Sequence, residues 1–142
     1  APHFDLEDEF QLQKKVAALI TAGLVRSVHD VSEGGLWVTL CESGFNRELG
    51  FSVNSAEGVR KDAWLFGEGQ SRVVVSVSKD KLAAFKAALG DHPATEIGVV
   101  TAGEMMIDGE FWGSIDWWKE HYDTSIEKYL SSEEAGAALS SL

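Results

Sequence analysis

The stretch from Ser27 to Leu40, SVHDVSEGGLWVTL, decides the reading of this chain. A short β-compatible segment, "LVRSV" (24–28), leads into it, and the stretch then passes through a polar turn and two adjacent glycines into an apolar run. From Gly35 onward, Leu36, Val38, Leu40 and Cys41 recur as they would on a helix ending near Gly44. A strand, a turn and a helix in so few residues is a unit of α/β architecture.

Three chemistries suit the polar turn. His29, Asp30 and Ser32 are the residue types of a hydrolytic triad, but on an extended backbone His29 and Asp30 point to opposite sides. There is also no G-x-S-x-G elbow. Metal ligation fares no better, because His3, His29, His92 and His121 are scattered and Cys41 stands alone. Ser32 as a helix N-cap, with Gly34 and Gly35 opening the backbone, makes an anion cradle chemically reasonable. Glu33 would compete for the same N–H donors, so a capped strand–helix junction is favoured over a phosphate site.

Outward from that unit, Leu6, Phe10, Val16, Leu19 and Ile20 recur at helical spacing before a stop at Gly23. "LGFSV" (49–53) alternates like a half-buried strand. A short helix follows, with Ser55 as its expected N-cap. "RVVVSV" (72–77) is a β-branched run too short for a helix. Ser78 is expected to cap "KDKLAAFKAALG", where Leu82, Phe85, Ala88 and Leu89 share a face. "TEIGVVT" reads as a strand, "MMIDGEFWG" as a hairpin turning at Asp108–Gly109, and the residues from Ile115 as a terminal helix. The fold class expected is α/β, with helices packed on a mixed β-sheet as one domain over residues 1–142. The segment 131–142, mostly Ser, Ala and Glu, is expected to fray.

Composition narrows the functional classes. The 142 residues are 44% hydrophobic, enough for a real core. Twelve Lys and Arg against 23 Asp and Glu give a net charge of −11, a surface that repels nucleic acid and anionic membranes. A single cysteine rules out an internal disulfide, and Cys41 in an apolar pattern reads as a buried structural thiol. No apolar run reaches the ~20 residues of a membrane span and no signal peptide is visible, so the expected location is the cytoplasm. A chain that opens on Ala1 reads as processed or as a piece of something longer.

Two further stretches can carry function. In "WLFGEGQSRVVVSV" (64–77), glycines bracket Glu68, and Gln70 and Arg72 lead into the strand, the kind of loop that holds a ligand hydroxyl, amide or phosphate. In "FWGSIDWWKEHY", Trp112, Trp117, Trp118 and Tyr122 lack basic neighbours for stacking bases, so a core or interface role is expected, an interface above all.

Taken together, "SVHDVSEGGLWVTLCESGF", "LFGEGQSRVVVSVSKDKLAAF" and "EIGVVT" resemble the AIR synthase-related, PurM-like C-terminal domains, and among them that of phosphoribosylformylglycinamidine synthase subunit II. The resemblance implies a parent enzyme of purine biosynthesis, an ATP-dependent ligase that turns formylglycinamide ribonucleotide into the formamidine. ATP with magnesium would activate the formamide oxygen, and ammonia from a glutaminase domain or subunit would displace phosphate. It implies N-terminal ATP-binding domains as partners, with no catalytic residue, metal or cofactor on this fragment. Carried over position by position, Glu68, Gly69 and Gln70 would contact the ribonucleotide, while His29, Asp30, Ser32, Gly34 and Gly35 form a phosphate or structural loop. The chain resembles the second of the parent's two copies, which makes a vestigial site the competing reading; Gly69 also stands where the family often has Ser or Thr, and Glu33 where Asp is common. Domains of AIR synthetase, selenophosphate synthetase, thiamine-monophosphate kinase or a hydrogenase maturation factor, or a stand-alone binding module, are the alternatives.

Overall fold

A computed structural model describes residues 5–67 and 71–125. The expected contacts of Glu68, Gly69 and Gln70 and the fraying of 131–142 therefore lie outside the described residues. Helix α1 (Leu6–Thr21) begins at Asp5, whose carboxylate accepts the Glu7 and Asp8 backbone N–H groups and caps the helix. Strand β1 (Ser27–Asp30), helix α2 (Gly35–Phe45), strand β2 (Gly50–Val53) and helix α3 (Lys61–Phe66) follow. Then come β3 (Val73–Ser76), a 3-10 turn (Lys79–Lys81), α4 (Leu82–Leu89), β4 (Gly98–Thr101), β5 (Glu104–Ile107) and β6 (Glu110–Ser114). Residues 115–125 are helical and are called α5.

The strands form two sheets. In the first, β1 and β3 pair antiparallel, with His29 opposite Val74 and Asp30 opposite Val73. The second runs in the order β4-β2-β5-β6, with β2 antiparallel to β4 and parallel to β5. This is the helix-on-mixed-sheet class expected from the sequence. Phe51, Val53, Met105 and Ile107 point from one face of the second sheet into a core shared with Leu36, Trp37, Leu40 and Cys41 of α2, Leu65 of α3, and Ile115. On the opposite face, Val99 and Phe111 are exposed. Successive residues Val99 and Val100 are both exposed on β4, an edge strand of the sheet.

The β5–β6 turn falls at Asp108 and Gly109, with φ of 51° and 77°, the left-handed pair a two-residue hairpin requires. The Asp108 carboxylate does more than turn the chain. It accepts the Ser55 backbone N–H at 2.7 Å and the Ser55 hydroxyl at 2.9 Å, and it faces the Lys61 ammonium at 3.2 Å.

Five local expectations need correction. Ser55 does not cap α3, because its hydroxyl and N–H are taken by Asp108; Arg60 holds the N-cap position instead. Ser32 does not cap α2, because its carbonyl closes a turn onto the Gly35 N–H at 3.0 Å and leaves Gly34 in the N-cap position. Ser78 precedes a 3-10 turn rather than capping α4, which starts at Leu82. Along α1 only Leu19 is buried; Leu6, Phe10 and Ile20 are exposed, since the contacts α1 makes fall mainly on α4. The first strand also lies later than "LVRSV" suggests, its pairing with β3 running from Ser27 on through His29 and Asp30.

Truncating Leu65, fully buried at the α2–α3 joint, to Ala is expected to lower unfolding free energy by ~2–5 kcal/mol in a urea titration. The Ser55 N–H and hydroxyl, followed by Lys61, hold the Asp108 carboxyl below its ordinary value. A depressed acid stabilises the fold above its unfolded pKa of ~3.9, and that contribution is lost as pH falls through the lower folded value. Melting temperature should therefore fall on acidification below pH ~4, and Asp108→Asn should flatten that acid limb while lowering the neutral-pH melting temperature.

Candidate functional site

The antiparallel β1–β3 pair runs the end of one strand beside the start of the other, so the segments that follow β1 and precede β3 lie side by side. One hydrogen bond extends the ladder past the strands, from the Val31 N–H to the Arg72 carbonyl at 2.9 Å. "HDVSEGG" and "LFGEGQSR", far apart in sequence, thereby meet at one end of the two-stranded sheet.

The α2–α3 contact brings the motifs together a second time. A Cβ built on Gly35 would lie 2.8 Å from the Leu65 carbonyl oxygen and 2.8 Å from the Phe66 carbonyl carbon. Only a residue without a side chain lets the start of α2 approach the last turn of α3 so closely. Gly35 also has φ of 69°, which glycine adopts without strain. Gly67 then leaves α3, its N–H still donating to the Ala63 carbonyl at 3.0 Å.

Register separates the two polar residues at the end of β1. His29 shares a face with Val74, which packs against the main core, whereas Asp30 shares the opposite face with Val73. Asp30, Val31, Ser71, Arg72 and Val73, with Glu9 and Leu12 of α1, line a cleft of about 460 Å3. His29 and Asp30 thus serve different surroundings, which disposes of a triad built from these neighbours. Among the described residues no three His, Cys, Asp or Glu side chains converge as metal ligands.

The cleft is not a phosphate-coloured site. Glu9 and Asp30 contribute two carboxylates against the Arg72 guanidinium, which donates to the Gly67 carbonyl at 3.4 Å. Hydrogen bonds from the Ser71 hydroxyl and then the Gln13 amide hold the Glu9 carboxyl below its ordinary value. Ser71 has φ of 58°, a left-handed backbone uncommon for serine. Nothing local in sequence points to Glu9, which reaches Ser71 across 62 positions.

A second concavity, of about 220 Å3, lies between α2 and α5 and is lined by Trp37, Phe45, Trp118 and Tyr122 with Cys41 beneath. Trp112 and Trp118 rest on Trp37 with ring centroids 5.1 Å away in each case, and the Trp118 indole N–H donates to the Trp112 carbonyl. Those two tryptophans serve the core, whereas Trp117 and Tyr122 are exposed. Burial pushes the Cys41 thiol up to about 12, so it stays protonated and inert at neutral pH.

Residues 2–108 match the family described as AIR synthase related protein, C-terminal domain. The chain belongs to this family. Among curated relatives, the chain is 48% identical over 111 residues to subunit PurL of phosphoribosylformylglycinamidine synthase from Salinibacter ruber. It is 38% identical over 109 residues to the same subunit from Caldanaerobacter subterraneus. Each alignment takes in 75% of this chain but only 15% of the relative's length. Of solved structures, phosphoribosylformylglycinamidine synthase II from Thermotoga maritima superposes with a TM-score of 0.69 over 81% of this chain and 22% of that one, at 18% identity. PurL of that organism complexed with ATP gives a TM-score of 0.63 at 18% identity, over 74% of this chain and 20% of that one. The fold of this AIR synthase-related domain is therefore that of a region within a much longer polypeptide.

Replacing Gly35 by Ala should cost ~2–4 kcal/mol of unfolding free energy, combining left-handed strain with a backbone clash. Gly58→Ala is the matched control, since Gly58 also has positive φ but nothing within 4 Å of a built Cβ, and should cost only ~1 kcal/mol. Equal losses in a denaturant titration would show that the α2–α3 approach is looser than described.

Proposed function

We propose that this chain serves as the C-terminal AIR synthase-related unit of a phosphoribosylformylglycinamidine synthase. The observation that supports this most is the junction of the two motif segments, made by the β1–β3 pairing and the Val31–Arg72 hydrogen bond. The 48% identity to a PurL subunit favours this enzyme over the other ATP-dependent relatives of the superfamily.

In this reading the parent forms the amidine of formylglycinamide ribonucleotide, consuming ATP and ammonia supplied by a glutaminase partner. Magnesium and the nucleotide find no fit among the described residues. No ligand set converges there, and two carboxylates in the α1–β3 cleft oppose a triphosphate. Those groups belong with the ATP-binding domains of the same polypeptide, which this unit buttresses. The contribution of this chain is to present Glu68, Gly69 and Gln70, between Gly67 and Ser71, to the ribonucleotide. His29, Asp30, Ser32, Gly34 and Gly35 shape the neighbouring strand–helix junction. Asp30 stands on the cleft, His29 on the core side, and Gly35 against α3. With its one cysteine a buried free thiol, the chain suits the reducing cytoplasm.

The 142-residue chain, given ATP, magnesium, ammonia and the ribonucleotide, should form no amidine. Appreciable turnover by the chain alone would overturn the assignment. Within the whole synthase, Gln70→Ala should raise KM for the ribonucleotide by about 5-fold, the loss of one hydrogen bond, with KM for ATP unchanged. An unmoved ribonucleotide KM would mark this copy of the site as structural.

A further inference from the structure

Helix α1 is covered on one side only. Of its 16 residues Leu19 alone is buried, and Leu12 and Val16 are half-buried on the same side. That side is tied down at its two borders. The Lys15 ammonium donates to the Ala88 carbonyl of α4 at 3.1 Å, and the Ser71 hydroxyl donates to the Glu9 carboxylate. About a third of a turn round the helix, Leu6, Phe10, Ala17 and Ile20 form a second apolar stripe. All four are exposed, Leu6 by 73% and Phe10 and Ile20 by 54% each. With Gln13 among them they recur at alternating spacings of four and three, the pattern of a seam between packed helices. A helix of this length is marginal in water by itself and takes its stability from packing, so the inner side alone leaves that packing incomplete.

We propose that this outer stripe of α1 is the seat of another domain of the same polypeptide, whose apolar surface covers Leu6, Phe10 and Ile20. The inference rests on the reading that this chain is one unit of a longer synthase. Two observations select that occupant. The alignments with the PurL subunits take in only 15% of the relatives' length, so most of such a polypeptide lies outside this domain. Helix α1 also falls within the family match over residues 2–108, which makes its outer face a feature of the family's domain. The second observation is charge, which disfavours another copy of this chain. Two copies meeting antiparallel along the stripe would centre on Gln13 and bring the two Lys14 ammonium groups together. Meeting parallel, they would set the acidic first turns of Glu7, Asp8 and Glu9 side by side, and the last turn of α1 holds no basic residue to offset them. Each copy also carries a net charge of −11. Glu9 and Leu12 take α1 into the cleft shared with Asp30 and Arg72, so a domain seated at Phe10 stands beside the strand–helix junction.

Amide hydrogen exchange, compared between the 142-residue chain and the whole synthase, tests the seat. Amides from Phe10 to Ile20 should exchange about 10-fold more slowly in the whole synthase, while amides of the β2–β5 pair stay within about 2-fold. In the whole synthase, Phe10→Gln should return the α1 amides to the rate of the separate chain. In the separate chain the same substitution should leave the urea midpoint in place, because the ring is more than half exposed there. Leu19→Ala, on the inner side, is the contrast and should lower that midpoint. Equal α1 exchange in the two forms would overturn the proposal. So would a midpoint for Phe10→Gln that falls as far as that of Leu19→Ala, since the ring would then serve the domain's own fold. Sedimentation of the separate chain as a dimer that Phe10→Gln disperses would give the stripe to a second copy, and that too overturns it. Amidine formation by the whole polypeptide keeps the two readings apart. If it forms amidine and α1 exchanges as in the separate chain, the seat falls and the enzyme assignment stands. If it forms none and α1 is slowed, the assignment falls and the seat stands.

Discussion

The antiparallel pairing of β1 with β3 is the constraint on which the rest of the arrangement depends. It joins strands separated by α2, β2 and α3, and its register sets Ser27 opposite Ser76 and Asp30 opposite Val73. Because side chains alternate along a strand, a slip of one residue would exchange His29 and Asp30 between the core side and the cleft. The hydroxyls of Ser27 and Ser76 hydrogen-bond to each other at one end, and Val31 with Arg72 extends the ladder at the other. Gly35 at the start of α2 matters because that register has already brought α3 alongside.

The second sheet supplies mass rather than chemistry. Met105 and Ile107 of β5, fully buried, anchor it to α2 and α3, and the aromatic cluster about Trp37 seals the far side. The family match stops at residue 108, yet Trp112, Ile115 and Trp118 beyond it complete this core. Those aromatics lie near one another in sequence and stack on a helix formed 70 or so residues earlier, so part of the long-range order of the domain rests on its final described helix. Trp118 closes over Gly113, whose missing side chain leaves room for the indole nitrogen, 2.9 Å from a built Cβ.

Much of this was legible in sequence because it is local. Periodicity located α1, α2 and α4, β-branched density located β3, and Asp108–Gly109 announced its hairpin. The mixed sheet was legible as a class, but its β4-β2-β5-β6 order was not, since strand order is a matter of contacts between distant segments. The three expected caps failed for different reasons. Ser32, Ser55 and Ser78 are all good caps in isolation, and Ser55 is claimed by a carboxylate 53 positions away while Ser32 is claimed by its own turn. At the candidate site, the resemblance to the family picked out both motifs, and geometry joined them. Nothing near Glu9 in sequence signals its bond to Ser71.

The open flank of the second sheet has a colloidal consequence. From Ile97 to Gly103 the chain carries no charge, and Val99 and Val100 stand exposed on a strand that, among the described residues, is an edge of its sheet. Natural edges are commonly guarded by lysine, proline or a bulge, and this one has none of these within its four residues. The guard here is global. A net charge of −11 on 142 residues keeps copies apart at low ionic strength, where repulsion reaches ~30 Å at 0.01 M salt. At physiological salt that reach shrinks to ~8 Å, shorter than a domain radius, so dispersal of the separated domain becomes a property of the buffer as much as of the fold.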